Sequence, residues 1–480
     1  MTSLLNHANK AAALKRSDIP HTRLPVVKLL LLRLAIVYLL LSGSVTASDH
    51  ADPIDPLYWK RQESAITDLF VFPVLKTDQG SPATTNQAKN TYLDAVAFPF
   101  ERTANLPLHD LTADIFREPL TAEQRDQIDS LVVIVCVRRQ LTDSRMLRLD
   151  PYEYRVHIDL DSAVRFPETN EDGSTQATSP PPGSHSERLS DLEAYARYGG
   201  RVIAPGEINE DAIIAIRLND QANLAEDGLQ FRKTVGATWD SKSITVSTGV
   251  FEDPFIFPQF FGTNIVAIAL KIPMECFPSK QDALLVWATS HKGKKQIDHV
   301  GRSARTQNPR FNFLNKLHPS RHKAAIEHQH DNPSAVRDIL LRANLSSLFA
   351  FRYWDFEPDV MIYSPDHPVG FPNGRLLTDD VAAILAQQGD TLLYELSFQD
   401  NQGSWPRQQS NDTNQGQFGF TFPYLNPPFP DRAQPKLRRL SGRTIAVLIS
   451  IGIILVALLA FENWVVVKLY KRWRQKKNYL

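Results

Sequence analysis

Cysteine is nearly absent: the chain has 2 in 480 residues. That excludes a disulfide framework, and a domain of this size can bury enough core without one. Cys136 lies in the apolar run SLVVIVCVRRQ and Cys276 follows KIPME. One bridge between them or two buried thiols are both compatible with this. Net charge is missing too, because 53 basic residues balance 53 acidic ones. A neutral chain gives no electrostatic footprint for nucleic acid. There is no internal repeat, which argues against a propeller. Nor is there a Gly-x-Ser-x-Gly elbow, a phosphate loop, a dinucleotide fingerprint or a His-Glu-x-x-His pair. The enzyme classes that announce themselves by such motifs are therefore not signalled.

What is present begins at the two ends. Ile445 to Phe461 carries no charged residue, and after Glu462 the run NWVVV extends it. A helix over 444–467, at ~1.5 Å per residue, suffices to cross a hydrocarbon layer of ~30 Å. Lys468, Lys471, Arg472, Arg474, Lys476 and Lys477 follow, so 468–480 is expected to be a basic cytoplasmic tail. Residues 1–47 read as a signal peptide with a long n-region. Lys15, Arg16, Arg23, Lys28 and Arg33 precede or interrupt the apolar core Leu34 to Leu41, and Val45-Thr46-Ala47 offers a cleavage site. An uncleaved anchor is the alternative and gives two membrane passes. With cleavage, the expectation is a single-pass membrane protein whose large domain, 48–435, is periplasmic or extracellular.

That domain reads mainly as strands. Candidates are 67–74, 91–100, 130–137, 152–160, 212–218, 243–251, 264–272 and 283–290, each rich in β-branched or aromatic residues. In YEYRVHIDL, Tyr152, Tyr154, Val156 and Ile158 share one face, opposite Glu153, Arg155, His157 and Asp159. This alternation predicts an antiparallel, β-sandwich-like fold with one covered face per sheet. A few helices are expected in the C-terminal third, over AVRDILLRANLSSLF and DDVAAILAQQ. Flexible loops are expected near 167–187 and 400–417, which are polar and lack the apolar surface to offset chain entropy.

Several segments resemble, in order, the exported bacterial proteins classed as domain of unknown function 4331. They are SDHADP with TDLFVF, VFEDPFIF, LLVWATS with QIDHVGR, PNGRLLTDDV at 372–381 and FPYLNPPFP at 422–430. The resemblance covers about residues 48–430 and implies an exported domain without an established activity. Family members often carry a compact acidic loop, a possible calcium site, after a Tyr-x-Ile-x-Ile-Asp strand. Here HIDLDSAVRFPETNEDGS keeps Asp159 and Asp161 but loses the compact loop.

Candidate site residues fall in four places. The candidate metal residues are His50, Asp52 and Asp68: if the mature chain starts Ser48-Asp49-His50, its amine, two amides and the His50 imidazole can hold square-planar Cu(II) or Ni(II); alternatively His50 and Asp52 tie the first loop to the domain. Asp68, Asp298 and His299 are scattered candidates for a metal-dependent hydrolase. His318, His322, His328 and His330 could serve as zinc ligands, but a solvated loop is the favoured reading because Pro319, Arg321 and Lys323 intervene. In PNGRLLTDDV, Asn373-Gly374 suits a tight turn, Thr378 a helix cap, and Asp379 and Asp380 the helix N-terminus, with Arg375 expected to pair with one of these carboxylates. The crowded rings of DPFIFPQFF suit core packing or a partner-binding patch. The combined expectation is a membrane-anchored binding or structural module of the envelope, its envelope partner unidentified. The alternatives are a metal-dependent hydrolase and an envelope metal-binding protein.

Overall fold

Ten β-strands build the two main sheets in the computed structural model. They are β1 (Ile66–Leu75), β2 (Ile128–Arg138), β3 (Glu153–Asp159), β4 (Ala212–Leu218), β5 (Leu224–Lys233), β6 (Thr245–Glu252), β7 (Asn264–Pro273), β8 (Leu284–Lys292), β9 (Lys295–Val300) and β10 (Met361–Tyr363). The structure describes residues 65–76, 92–100, 114–116, 119–139, 141–142, 148–166, 168–169, 175–176, 199–234, 239–240, 242–254, 264–278, 283–302, 313–333, 356–379, 418–431 and 436–437, with isolated positions at 311, 381, 384, 461, 464, 465, 467 and 468. All of these belong to one unit, 47–480.

The strands form two antiparallel sheets. One has the order β1-β2-β7-β6; the other runs β5-β4-β3-β8-β9, with β10 also paired to β8. Val133 and Val135 of β2, Ile268 of β7, Val156 and Ile158 of β3, Ile214 and Ile216 of β4, and Val286 of β8 share one buried core. Each such aliphatic side chain contributes about 1.5–3 kcal/mol when fully buried. The expected mainly antiparallel β fold is therefore observed, and Cys136 and Cys276 are both buried.

Neither sheet has only one covered face where the chain is most apolar. β1 and β2 are buried almost throughout. The rings of Tyr92 and Tyr424 pack edge-on against Phe72 of β1 at 5.4 and 5.8 Å. Tyr92 lies in a helical turn, Tyr92–Ala95, where a strand over 91–100 was expected. The apolar spacing there is three, not two: Tyr92 and Ala95 are buried while Leu93 and Asp94 are exposed. Strands β5, β9 and β10 were not anticipated, because β5 and β9 carry mixed polar residues and β10 has only three.

The outer face of the larger sheet is covered as well. Three 3-10 turns, Pro205–Glu207, Leu314–Lys316 and Pro319–Arg321, and one helix, α1 (His322–Asp331), lie in this region of the chain. A solvated loop was the favoured reading of 318–330. Pro319 instead occupies the first position of its turn, where no amide hydrogen is needed, and the His318 side chain accepts from the Ser320 amide. His322 and Ile326, four apart, form the buried face of α1.

Two further expectations change. Inside the 167–187 stretch, Glu168–Thr169 and Thr175–Gln176 pair antiparallel. Lys436–Leu437 pairs in parallel with Leu141–Thr142, so the folded region reaches past 435. Residues 1–47, the helix over 335–349, the loop at 400–417, DPFIFPQFF after Pro254 and most of 444–480 lie outside the described residues. Among the described residues no helix is long and apolar enough to cross a membrane. Within 444–468, Phe461, Trp464, Val465, Val467 and Lys468 are helical.

Candidate functional site

Strand register assembles a histidine-rich layer on the outer face of the larger sheet. Trp287 of β8 stands opposite His157 of β3, and Thr289 stands opposite both Arg155 of β3 and His299 of β9. Paired residues share a face, and so do residues two apart along a strand. His157, Trp287, Thr289, His291 and His299 therefore point the same way. The His157 and Trp287 rings stack with centroids 5.1 Å apart and planes 4° from parallel.

A continuous polar chain crosses this layer. His291 Nε2 lies 2.9 Å from Thr289 Oγ1, which lies 2.7 Å from His157 Nε2. His157 Nδ1 stands 3.4 Å from one Glu210 oxygen, and His318 Nε2 lies 3.0 Å from the other. His318 Nδ1 is 2.8 Å from Ser320 Oγ. A hydroxyl has one proton, so Thr289 donates to one imidazole and accepts from the other. The Glu210 carboxylate requires a proton on His157 Nδ1. His157 Nε2 then accepts from Thr289, and His291 Nε2–H donates to it. At the far end His318 donates Nε2–H to Glu210 and accepts the Ser320 hydroxyl proton at Nδ1.

The electrostatics match this order. Contact with His157, then with His318, holds the Glu210 carboxyl far below its ordinary range. Burial pushes the His157 imidazole down, against the pull of Glu210. Burial, with Arg155 nearby, brings His291 down to about 4. Both rings are thus neutral in the folded protein near pH 7.

A second cluster fastens the covering layer. His299 donates Nε2–H to the Asp359 carbonyl at 2.7 Å. His322 accepts the Asp359 amide at Nδ1, at 3.2 Å, and donates Nε2–H to the Leu317 carbonyl at 3.1 Å. Arg302 donates its amide to Asp359 Oδ1 at 2.7 Å. Gly301 permits this approach, because a Cβ there would overlap the Asp359 carbonyl.

The polar chain ends in an open cleft of about 330 Å³, lined by Ile208, Asn209, Lys316, Leu317, His318, Ser320 and Arg321. Lys316 and Arg321 are exposed, and neither has an ion-pair partner among the described residues.

The sequence-derived candidates are placed differently. Asp68 is bound to Arg375, so that arginine joins β1 to the 372–381 turn and not only its own helix start. Asp298 accepts the Ile66 amide at 2.9 Å, while His299, its neighbour on β9, faces the covering layer. The scattered Asp68, Asp298 and His299 set does not converge on one point. His318 and His322 serve Glu210 and Asp359 respectively, while His328 and His330 are exposed. His50, Asp52 and Asp380 lie outside the described residues. Asn373 Oδ1 accepts the Ser364 amide at 2.6 Å, and its Nδ2 donates to Ser364, His367 and Pro368 carbonyls. Gly374 has φ 71°, as its turn requires. Asp379 Oδ2 accepts the Phe371 and Leu376 amides at 2.8 and 2.7 Å, and Thr378 precedes it in a turn.

Asp159, Asp161 and Asp211 bring carboxylate oxygens together at the loop where the resemblance implied calcium. Three carboxylates alone fall short of the six to eight oxygens that calcium takes. The Asp159 oxygens accept the amides of Asp161, Ser162 and Asn209 at 3.2, 2.8 and 3.0 Å. These amides hold the Asp159 carboxylate in place in its loop.

Of the cleft and its polar chain, sequence reading singled out only His318, and that as a zinc ligand. The missed signal is the matching period-two spacing on β8, where Trp287, Thr289 and His291 alternate; on β3 the face of Arg155, His157 and Asp159 was read, but not its partner strand. No protein-family model, curated protein or solved structure matches this chain.

Proposed function

We propose that this protein is a membrane-anchored, extracytoplasmic β-sandwich module that binds a small anionic ligand in the cleft beside His318. The observation that carries this reading is the pair of exposed cations, Lys316 and Arg321, that line the cleft with no ion-pair partner among the described residues. Two unneutralised cations beside a volume of about 330 Å³ suit a small carboxylate or phosphate. Export and anchoring are supported by the uncharged run Ile445 to Phe461 with its basic tail, and by the N-terminal apolar segment. Membership of the domain of unknown function 4331 family belongs to the same proposal. It is supported by the order of the motifs along the chain.

Titration of the detergent-solubilised full chain with succinate tests the binding reading. Trp287 lies edge-on to the His318 ring at 5.7 Å, so occupancy of the cleft should change tryptophan emission. Binding should weaken at least tenfold in Lys316→Glu and again in Arg321→Glu. Heat and fluorescence responses that are absent, or unchanged by both reversals, would sink the reading.

A further inference from the structure

We propose that the cleft is also a hydrolytic site, in which Ser320 is the nucleophile, His318 its base and Glu210 the carboxylate that positions His318, acting on esters that carry a negative charge. This rests on the binding reading above and adds a reaction to it. Ser320 Oγ, His318 and Glu210 are joined through 2.8 and 3.0 Å contacts on the two nitrogens of one imidazole. A serine, a base and an orienting carboxylate in that order are the parts an activated hydroxyl needs. His318 and Ser320 line the cleft, beside Lys316 and Arg321.

The plain structural alternative is that His318 is a helix cap, since its Nδ1 also accepts the Ser320 amide at 3.3 Å. A cap needs only Nδ1. It accounts neither for the Glu210 carboxylate on Nε2 nor for the histidine and threonine that stand behind that carboxylate. Those groups, nearly all buried, hold Glu210 in place and leave it ionised to face the imidazolium that forms during reaction.

The chemistry closes on itself. Ser320 Oγ forms a bond to the ester carbonyl carbon while its proton passes to His318 Nδ1. The tetrahedral adduct collapses, the bond to the leaving alcohol breaks, and that oxygen takes the proton from His318 Nδ1. Water then attacks the acyl-serine, giving its proton to His318 and releasing the acid, and the proton returns to Ser320. Ester and water yield acid and alcohol, with no other reactant. Lys316 and Arg321 provide positive potential for the substrate's charge and for the developing oxyanion. Glu210 remains ionised throughout.

Incubating the full chain in detergent with a fluorophosphonate probe, then mapping the labelled peptide by mass spectrometry, tests this directly. The label should fall on Ser320. Mono-4-nitrophenyl succinate should be hydrolysed in preference to neutral 4-nitrophenyl butyrate. Ser320→Ala should abolish labelling and turnover while succinate still binds. Glu210→Gln should lower kcat by about 10²-fold, the low end of what general-base catalysis supplies, with KM little changed and with an altered pH profile. No label at Ser320, or turnover that survives Ser320→Ala, overturns the proposal. If succinate binding persists in that case, the binding reading stands alone; if binding is also absent, both fail.

Discussion

Asp68 and Arg375, 307 residues apart in the chain, meet as an ion pair buried on both sides. The guanidinium also lies over the Phe70 ring, 4.2 Å from its centroid. The pair ties the first strand of the smaller sheet to the turn built on Asn373 and Gly374, where the Arg375 amide also donates to the Val71 carbonyl at 2.9 Å. Removing one partner strands a charge in the interior. Arg375→Met should therefore cost about 3–5 kcal/mol, whereas the paired change Asp68→Leu with Arg375→Met should recover much of that loss. Denaturant unfolding of the two variants decides it. Additive destabilisation in the double variant would contradict the coupling.

Acid should weaken the fold through the histidine layer. His291 is held down to about 4, so between the unfolded value of ~6.5 and about 4 the unfolded chain binds a proton that the native one refuses. The stability contributed by the neutral ring is fully present above ~6.5 and is lost as pH falls through that window. His157 acts in the same sense, being lowered by burial. Glu210 adds its own loss at lower pH, from the ordinary carboxylate range of ~4.3 downward, since its folded value is depressed. The melting temperature of His291→Gln should fall less steeply than wild type between pH 6.5 and 4. Parallel slopes would rule out this assignment.

Gly301 should tolerate no side chain. An added Cβ meets the Asp359 carbonyl oxygen and carbon and the Val360 Cα, all of them backbone atoms that cannot swing aside. Gly301→Ala must therefore push the 356–360 segment away from His299 and His322. The expected loss is about 1–3 kcal/mol, as for overpacking elsewhere. Histidine side-chain NMR signals should report loosened His299 and His322 while those of His291 stay in place. A variant as stable as wild type would mean that the segment yields without cost.

Strand placement was legible where side chains answer to a single rule. AIIAIRL was read at 212–218, and that is where β4 runs, because a short aliphatic, β-branched run suits a strand buried nearly throughout. β9, KQIDHV, escaped because its residues serve two layers at once: Asp298 turns to β1 and His299 to α1. The cleft was not legible for a related reason. His157, Glu210, Thr289 and His318 are separated by up to 161 positions and are joined only by sheet register and by a turn whose cap is a histidine. Local pattern reports which face a residue takes, not which residues of other strands share that face. Arg375 shows the same limit: the carboxylates beside it in sequence were the natural partners, and the fold offers Asp68.

The proposed anchor can be tested without disturbing the domain. The last described pairing of the folded region joins Lys436–Leu437 to Leu141–Thr142, so a chain stopped after Arg443 keeps that ladder and loses the whole uncharged run. Apolar residues such as Leu, Ile, Val and Phe each favour membrane insertion by about 0.3–0.6 kcal/mol at a helix centre, and Ile445 to Phe461 is built largely of these. The full chain should therefore resist carbonate extraction, while the shortened chain should appear outside the membrane fraction with an unchanged melting temperature. Phe461, Trp464 and Val467, large apolar side chains exposed at 60%, 55% and 51%, are placed to meet lipid if the run spans. Carbonate release of the full chain would show that this run is not an anchor. A shortened chain that melts lower would show instead that the segment packs on the domain.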